Sequence, residues 1–482
     1  MSYRPGTQIV RTTTPPIRSA PTDTGVWFVA GLTDRGKLEA TLIQSLQQFV
    51  NVFGARQAYS VLYDAIETFF HEGGSRVYVS RVVGPSATVS TATLNDAAGT
   101  PQPTLRVEAN GPGAWGNSLN IAVLAGDTTG NFKLQVSDDV LGILETSPDL
   151  VDKAAALAWA QSSSYINLVD LGTSVNDPAV VAATSLTGGA DDRGSITDTQ
   201  WQQALDRFDK DLGPGQVSAP GRTTTAGQQQ LIQHSVDHNR VAILDAPDTA
   251  TVATLISTAA SVRGNGQYAA LFAPWLQVPG LSSGTVRLVP PSAGVAGRIA
   301  VVDSSDNPNV PAAGTRGQLQ FATGLSQPGW TDAQRDQLNS AGVDVIREIF
   351  GGVRIYGWRT TVDAVVNPNF VNFANSRLTM GITSELDGIL EEFLFDEIDG
   401  RGALLSDLKG ALNGALLAWF QLGALYGNTP DAAFYVDTGD QVNTPETIAN
   451  HELHAVVSLR MSEFAEFIEL RLIKRSISEA VV

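Results

Sequence analysis

The pattern that most limits how this chain can fold is a series of uninterrupted apolar runs, "GVWFVAG" (25–31), "VAILDAP" (241–247), "YAALFAPWLQV" (268–278) and "RIAVVDS" (298–304). A strand that is apolar on both sides has no face to give to water, so it must be covered twice. Stretches of helical period lie between these runs: "DTQWQQALDRFDK", "GQQQLIQHSVDHNR" and "ATVATLISTAASVRG". Strands alternating with amphipathic helices predict an α/β domain whose parallel sheet is buried on both faces. At the front, "ATLIQSLQQFVNVFG" and "VLYDAIETFFHEGG" read as helices with glycine stops at Gly54 and Gly73, and "RVYVSRVVG" (76–84) reads as a strand.

The texture changes from about 85 to 190, where Thr, Ala, Gly and Asn surround the short alternating runs "LRVEA", "LNIAVLAG" and "NFKLQV". Because the α/β pattern resumes afterwards, this segment is expected to be a β-rich insertion. Past "VRIYGWRT" (353–360), two helices are expected at 383–398 and 402–426, the first with Leu386, Ile389, Leu390, Phe393 and Ile398 on one stripe. The alternating runs "AAFYVD", "LHAVVSLRM" and "EFIELRLIKRSI" close the chain. The expected fold is α/β multidomain. It comprises an extended arm (1–21), a central α/β domain (22–85 and 191–355), an inserted β-rich outer domain (86–190) and an α+β C-terminal domain (356–482).

The arm has its own constraints. From Thr7 to Thr14 every residue except Gln8 and Arg11 is β-branched, while Pro5, Pro15, Pro16 and Pro21 forbid a helix on either side. A lone strand of this length is not stable, so the segment either lacks order or pairs with a sheet elsewhere.

Composition narrows the function classes. Across 482 residues, 43% are hydrophobic and 17% charged, which is ordinary for a globular chain of several domains. No apolar run reaches the length needed to cross a bilayer, and no apolar segment follows the early arginines, so folding in a cytoplasm is expected. With no cysteine, disulfides and thiolate metal sites are excluded. A net charge of −18 argues against a nucleic-acid surface covering the whole protein, while leaving room for a local patch. Both tips are basic, with Arg4, Arg11 and Arg18 in front and Arg471, Lys474 and Arg475 behind, while the body is acidic. The tips either are simply solvated or dock onto the acidic bodies of neighbouring copies.

Four patterns invite a chemical reading. "GLTDRGK" (31–37) matches the phosphate-cradling G-x-x-x-x-G-K, but Leu38 stands where a metal-binding hydroxyl belongs. Asp245, closing "VAILD", could imitate the metal-binding acid of such a site, yet apolar strands ending in Asp are common. "GPGAWG" (111–116) matches the dinucleotide fingerprint but precedes a strand-like run rather than a helix. His234 and His238 lie four apart on an expected helix without a third ligand, and "HELH" has the wrong spacing for a zincin. No nucleophile elbow is present, so neither a cofactor, a metal nor a catalytic residue is assigned. The acids of the 383–398 helix are either a solvated face or a face aimed at a partner.

Taken together, several segments resemble the sheath proteins of contractile phage tails and related contractile injection devices. They are "YRPGTQIV", "GLTDRGK" with "FVNVFG", "AIETFFHEGGSRVYVSRV", "GPGAWGNSL", "VPPSAGVAGRIA", "GVRIYGWRT" and the closing "AAFYVDTGDQVNTPETIANHELHAVVSLRMSEFAEFIELRLIKR". They run in family order along nearly the whole chain. The resemblance implies a central domain of subtilisin-like fold without protease activity. It implies exchanged strands at Thr7, Gln8, Ile9, Val10, Arg11, Thr12, Thr13 and Thr14, and at Glu466, Phe467, Ile468, Glu469, Leu470, Arg471, Leu472 and Ile473. Glu385, Glu391 and Glu392 become candidates for facing an inner tube. The implied partners are further copies in a helical assembly of six-fold rings, the inner tail tube protein, and baseplate and tail-terminator proteins, with neither nucleic acid nor membrane insertion. The implied setting is a virion tail sheath assembled in a host cytoplasm. A P-loop enzyme and a static lattice protein are the competing readings.

Overall fold

The computed structural model describes residues 23–327, 329–472 and 474. Its centre is a sheet of eight strands: β1 (Trp27–Gly31), β2 (Thr41–Ile43), β3 (Val77–Arg81), β4 (Gln216–Ser218), β5 (Val241–Asp245), β6 (Ala269–Ala273), β7 (Val343–Ile349) and β8 (Gly352–Ile355). Their order across the sheet is β8-β7-β6-β5-β4-β1-β3-β2. The six inner strands run parallel, and β2 and β8 are antiparallel edges.

Side chains alternate across a strand, and here both sets are apolar. Trp27 and Val29 of β1 enter one core while Phe28 and Ala30 enter the other; Val241 and Ile243 of β5 divide in the same way from Ala242 and Leu244. Helices α1 (Leu62–His71) and α2 (Pro291–Ser305) cover the first face. Helices Asp198–Leu205, Thr225–Asp237, Val252–Ser261 and Asp332–Ser340 cover the second.

The run 298–304 is therefore a helix, not the strand expected from sequence. Ten of the fifteen residues of α2 are buried, so the helix shows no polar face to give it a period of 3.6. A short, wholly apolar run does not by itself distinguish a buried strand from a buried helix. Similarly, 40–54 divides into strand β2 and a shorter helix, Leu46–Phe53, capped by the Ser45 hydroxyl.

Between β3 and β4 the chain builds a separate apolar core from two antiparallel sheets. One has the order Thr91–Asn95, Pro103–Ala109, Ile166–Asp170; the other has the order Val181–Ser185, Leu119–Ala125, Phe132–Asp138, Gly142–Thr146. Alternate residues Leu105 and Val107, and Leu134 and Val136, point inward and leave the polar Arg106 and Gln135 between them on the other side, while Ile121 and Val123 flank the buried Ala122.

A fourth core joins α3 (Phe373–Glu391), α4 (Ala403–Gln421) and the antiparallel pair Phe434–Asp437 with Val456–Leu459. The first of these helices begins ten residues before the expected 383 and ends at Glu391 rather than 398. Its front half was hidden by the polar residues on its buried side, Asn375, Ser376 and the fully buried cation Arg377. Arg377 donates to Asp303 of α2 at 2.6 Å and to the Pro308 carbonyl at 3.3 Å. The Thr24 hydroxyl gives Asp303 a further hydrogen bond at 2.6 Å. This buried pair ties α3 to α2.

Removing one partner of a buried pair strands the other. Arg377→Met is therefore expected to lower unfolding stability by about 3–5 kcal/mol, and adding Asp303→Leu to recover a large part of that loss. Urea denaturation of the two variants reads the difference.

Candidate assembly interface

The patterns that invited a chemical reading are occupied with structural work. Lys37 is exposed, and the next regular element after it is strand β2, so no helix N-terminus stands ready for a phosphate. The backbone of this loop serves Arg81 instead. Arg81 ends β3, is almost completely buried, and donates to the carbonyls of Asp34 (3.1 Å), Gly36 (3.2 Å) and Pro112 (2.5 Å). Pro112 belongs to "GPGAWG", so the two glycine-rich patterns meet across one guanidinium. A Cβ on Gly111 would land on the Gly36 carbonyl oxygen, and one on Gly113 (φ 135°) would lie 2.8 Å from Asp191 Oδ1. These glycines permit the β-rich insertion to approach the central sheet closely. Burial lowers the Arg81 pKa to about 10 against the opposing pull of Asp191, which leaves it charged at neutral pH. Sequence spacing gave no sign of this residue, because its partners are carbonyl groups supplied by distant loops.

The "GPGAWG" run enters a 3₁₀ turn, Ala114–Ser118, and then strand Leu119–Ala125. His234 stacks on His238 with ring centroids 4.2 Å apart, and its Nε2 lies 2.9 Å from an Arg240 guanidinium nitrogen. Burial, and then the Arg240 charge, holds His234 far below the ordinary histidine range. Among the described residues no group of three or more His, Cys, Asp or Glu is placed to hold a metal ion. Asp245 closes β5 and is fully buried, where it accepts from the Ser292 amide and hydroxyl at the start of α2 and from the Gly221 amide. Its carboxyl group caps a helix that begins with proline and has no side-chain cap of its own.

The unsatisfied surfaces lie in the last quarter of the chain. Phe434–Asp437 and Val456–Leu459 form a sheet of only two strands, with Val436 opposite Val457. A two-stranded sheet is marginal alone and holds here because α4 backs it. Each strand has one edge without a partner strand among the described residues. Between 373 and 462 thirteen acids face four basic residues, which gives this region much of the chain's negative charge. Of the acids singled out from sequence, Glu391 and Glu392 are exposed at the end of α3. Glu385 is half-buried and accepts from the Trp419 indole, so it is partly spent within its own subunit. Just beyond, Phe395 is fully exposed at φ 68° and Leu394 is largely exposed.

The expected C-terminal strand, Glu466 to Leu472, has no strand pairing in the single chain. Phe467, Ile468, Leu470 and Leu472 are each more than four-fifths exposed. Ile473 and the N-terminal segment Thr7 to Thr14 lie outside the described residues.

Residues 194–361 match the family model described as phage tail sheath protein central domain. That stretch contains β4 to β8 with the helices that cover them. The resemblance to contractile tail sheath proteins stands. Solved sheath structures share the fold over nearly the full chain. The sheath tail protein of Listeria innocua superposes with a TM-score of 0.61 at 15% identity, covering 92% of this chain and 96% of its own. The helical sheath of the anti-feeding prophage in its contracted state gives 0.59 at 17% identity, covering 98% and 100%. The sheath complex of the extracellular contractile injection system called PVC, also contracted, gives 0.59 at 16% identity, covering 98% of each chain. A search of curated protein sequences finds no match. This sheath-like chain is thus a mixed α/β protein of several domains. No helix among its described residues is long and apolar enough to cross a membrane.

Asp245 gives the sheath-like fold a pH signature. Desolvation raises its carboxyl to about 6, above the unfolded value of 3.8. The protonated form is therefore favoured in the folded state, and this contribution to stability is present below pH 4 and is lost as the pH rises through 6. Relative to Asp245→Asn, the wild-type protein is expected to lose about 3 kcal/mol between pH 4 and pH 7 and to run parallel above it. Chemical denaturation across that range measures the difference, and a wild-type curve rising against the variant would contradict it.

Proposed function

We propose that this chain is the structural and mechanical subunit of a contractile sheath. In this reading it polymerises as stacked six-fold rings around an inner tube and contracts to drive that tube through a target envelope. The observation that carries the reading is the two-stranded sheet, whose outer edges have no partner strand among the described residues, in the same chain as an amphipathic tail that pairs with no strand there. Neither piece is satisfied in one copy, and the two are complementary across copies. A strand from a neighbour would bond main chain to main chain at the open edge, and its alternate apolar side chains would leave water.

Thr7 to Thr14 and Glu466 to Ile473 are the exchanged strands in this proposal, reaching the 356–482 domain of adjacent subunits. Glu391 and Glu392 are the better candidates for the inner tube, since Glu385 already serves Trp419. The 86–190 insertion, tied to the central domain (22–85 and 191–355) through Arg81, would lie on the outside of the sleeve. We assign the central domain to the subtilisin-like fold class as a scaffold, with no reaction attached to it. Energy would reside in the difference between two packings of the same subunits, an extended one assembled first and a contracted one with larger contacts. Baseplate and terminator proteins would start and stop the sleeve, in a virion tail or a related injection device.

The decisive experiment removes the arm. A chain lacking residues 1–18 is expected to fold, to elute as a monomer and to form no sleeves by negative-stain electron microscopy under conditions where the full chain does. Long striated tubes from the truncated protein would overturn the exchange.

A further inference from the structure

The chain leaves its folded body at one sharply defined point. The Asn309 side-chain amide donates to the Ser462 carbonyl at 2.6 Å, and Ser462 donates its own amide to Ala424 and its hydroxyl to Gly423, both at 2.9 Å. Glu463 accepts from the side-chain amides of Asn372 (2.9 Å) and Asn375 (3.0 Å) at the start of α3. Phe464 packs against the core on the first face of the central sheet. Glu466 accepts two hydrogen bonds from Arg359, from Nε at 3.1 Å and from Nη2 at 2.5 Å. Arg359 is itself fixed, because its backbone amide donates to Asp344 Oδ1, near the start of β7, at 2.8 Å. One residue later the attachment ends, and Phe467 and Ile468 stand in solvent.

We propose that Ser462–Glu466 anchors the C-terminal arm, with Arg359–Glu466 as its outermost clamp and the swing of the arm beginning at Phe467. This shortens the exchanged strand expected from sequence by one residue, since Glu466 belongs to the body. The anchor also sets where force enters the fold. Without it, tension on the arm would act directly on strand Val456–Leu459, which has only one four-residue partner and could be peeled away bond by bond. With it, tension passes through Glu463 into the start of α3 and through Glu466 and Arg359 into β7, a strand paired on both sides in the eight-stranded sheet. The force-bearing role rests on the exchanged-arm reading above; the anchor and its pivot do not.

The chain has no cysteine, so a single introduced thiol reports one position. Nitroxide labels on Ala465→Cys and, separately, on Ile468→Cys in the full unassembled chain compare the two sides of the pivot. The rotational correlation time at 465 is expected to be at least about threefold longer than at 468, and adding Arg359→Met to bring the two within a factor of about 1.5. The swap Arg359→Glu with Glu466→Arg is expected to restore slow motion at 465. Equal mobility at the two positions in the parent chain, or slow motion at 465 that survives Arg359→Met, would overturn the clamp. Because no assembly is needed, that result is separate from any failure to form sleeves.

Discussion

Everything in this fold hangs on a sheet that cannot show either face to water. The alternation Trp27, Phe28, Val29, Ala30 within one strand commits two opposite surfaces to burial, and β5 and β6 repeat the commitment. Apolar area removed from water contributes roughly 25 cal/mol per Å², so each such strand demands two helical covers rather than one. The helices before and after the strands are the consequence, and so is the parallel direction, since a crossover helix returns the chain to the same end. The result is a stiff plate to which the less regular parts of the chain are fastened.

The fastenings are polar and buried. Arg81 gathers carbonyls from the loop after β1 and from the insertion; Arg377 joins α3 to α2; Glu72 accepts the Gln320 and Phe321 amides; Asp245 caps α2. Each charge has lost its hydration and is held by groups of fixed position, which makes these joints directional in a way that apolar packing is not. They lie where segments distant in sequence meet.

Several features that escape this satisfaction lie near the end of the chain. An open two-stranded sheet, an exposed Phe395 in left-handed backbone, a cluster of acids at the negative end of α3 and an amphipathic tail in water are each unfavourable for an isolated molecule. In the sheath reading proposed above, these are the surfaces that neighbouring copies would cover.

The sequence by itself determined the α/β plate and the β-rich insertion, because periodicity and local turn chemistry act over a few residues and are written in order. It also singled out the amphipathic tail. It misread 298–304 as a strand, since a helix buried over most of its length has little period to announce it, and it began α3 late, since Asn375, Ser376 and Arg377 interrupt the apolar stripe that would have marked it. Arg81, Arg359 and Asp245 were not legible as joints. Their partners are carbonyls, a distant carboxylate and a helix start brought together from as much as a hundred residues away, and only the tertiary structure decides which unsatisfied groups end up within hydrogen-bonding distance.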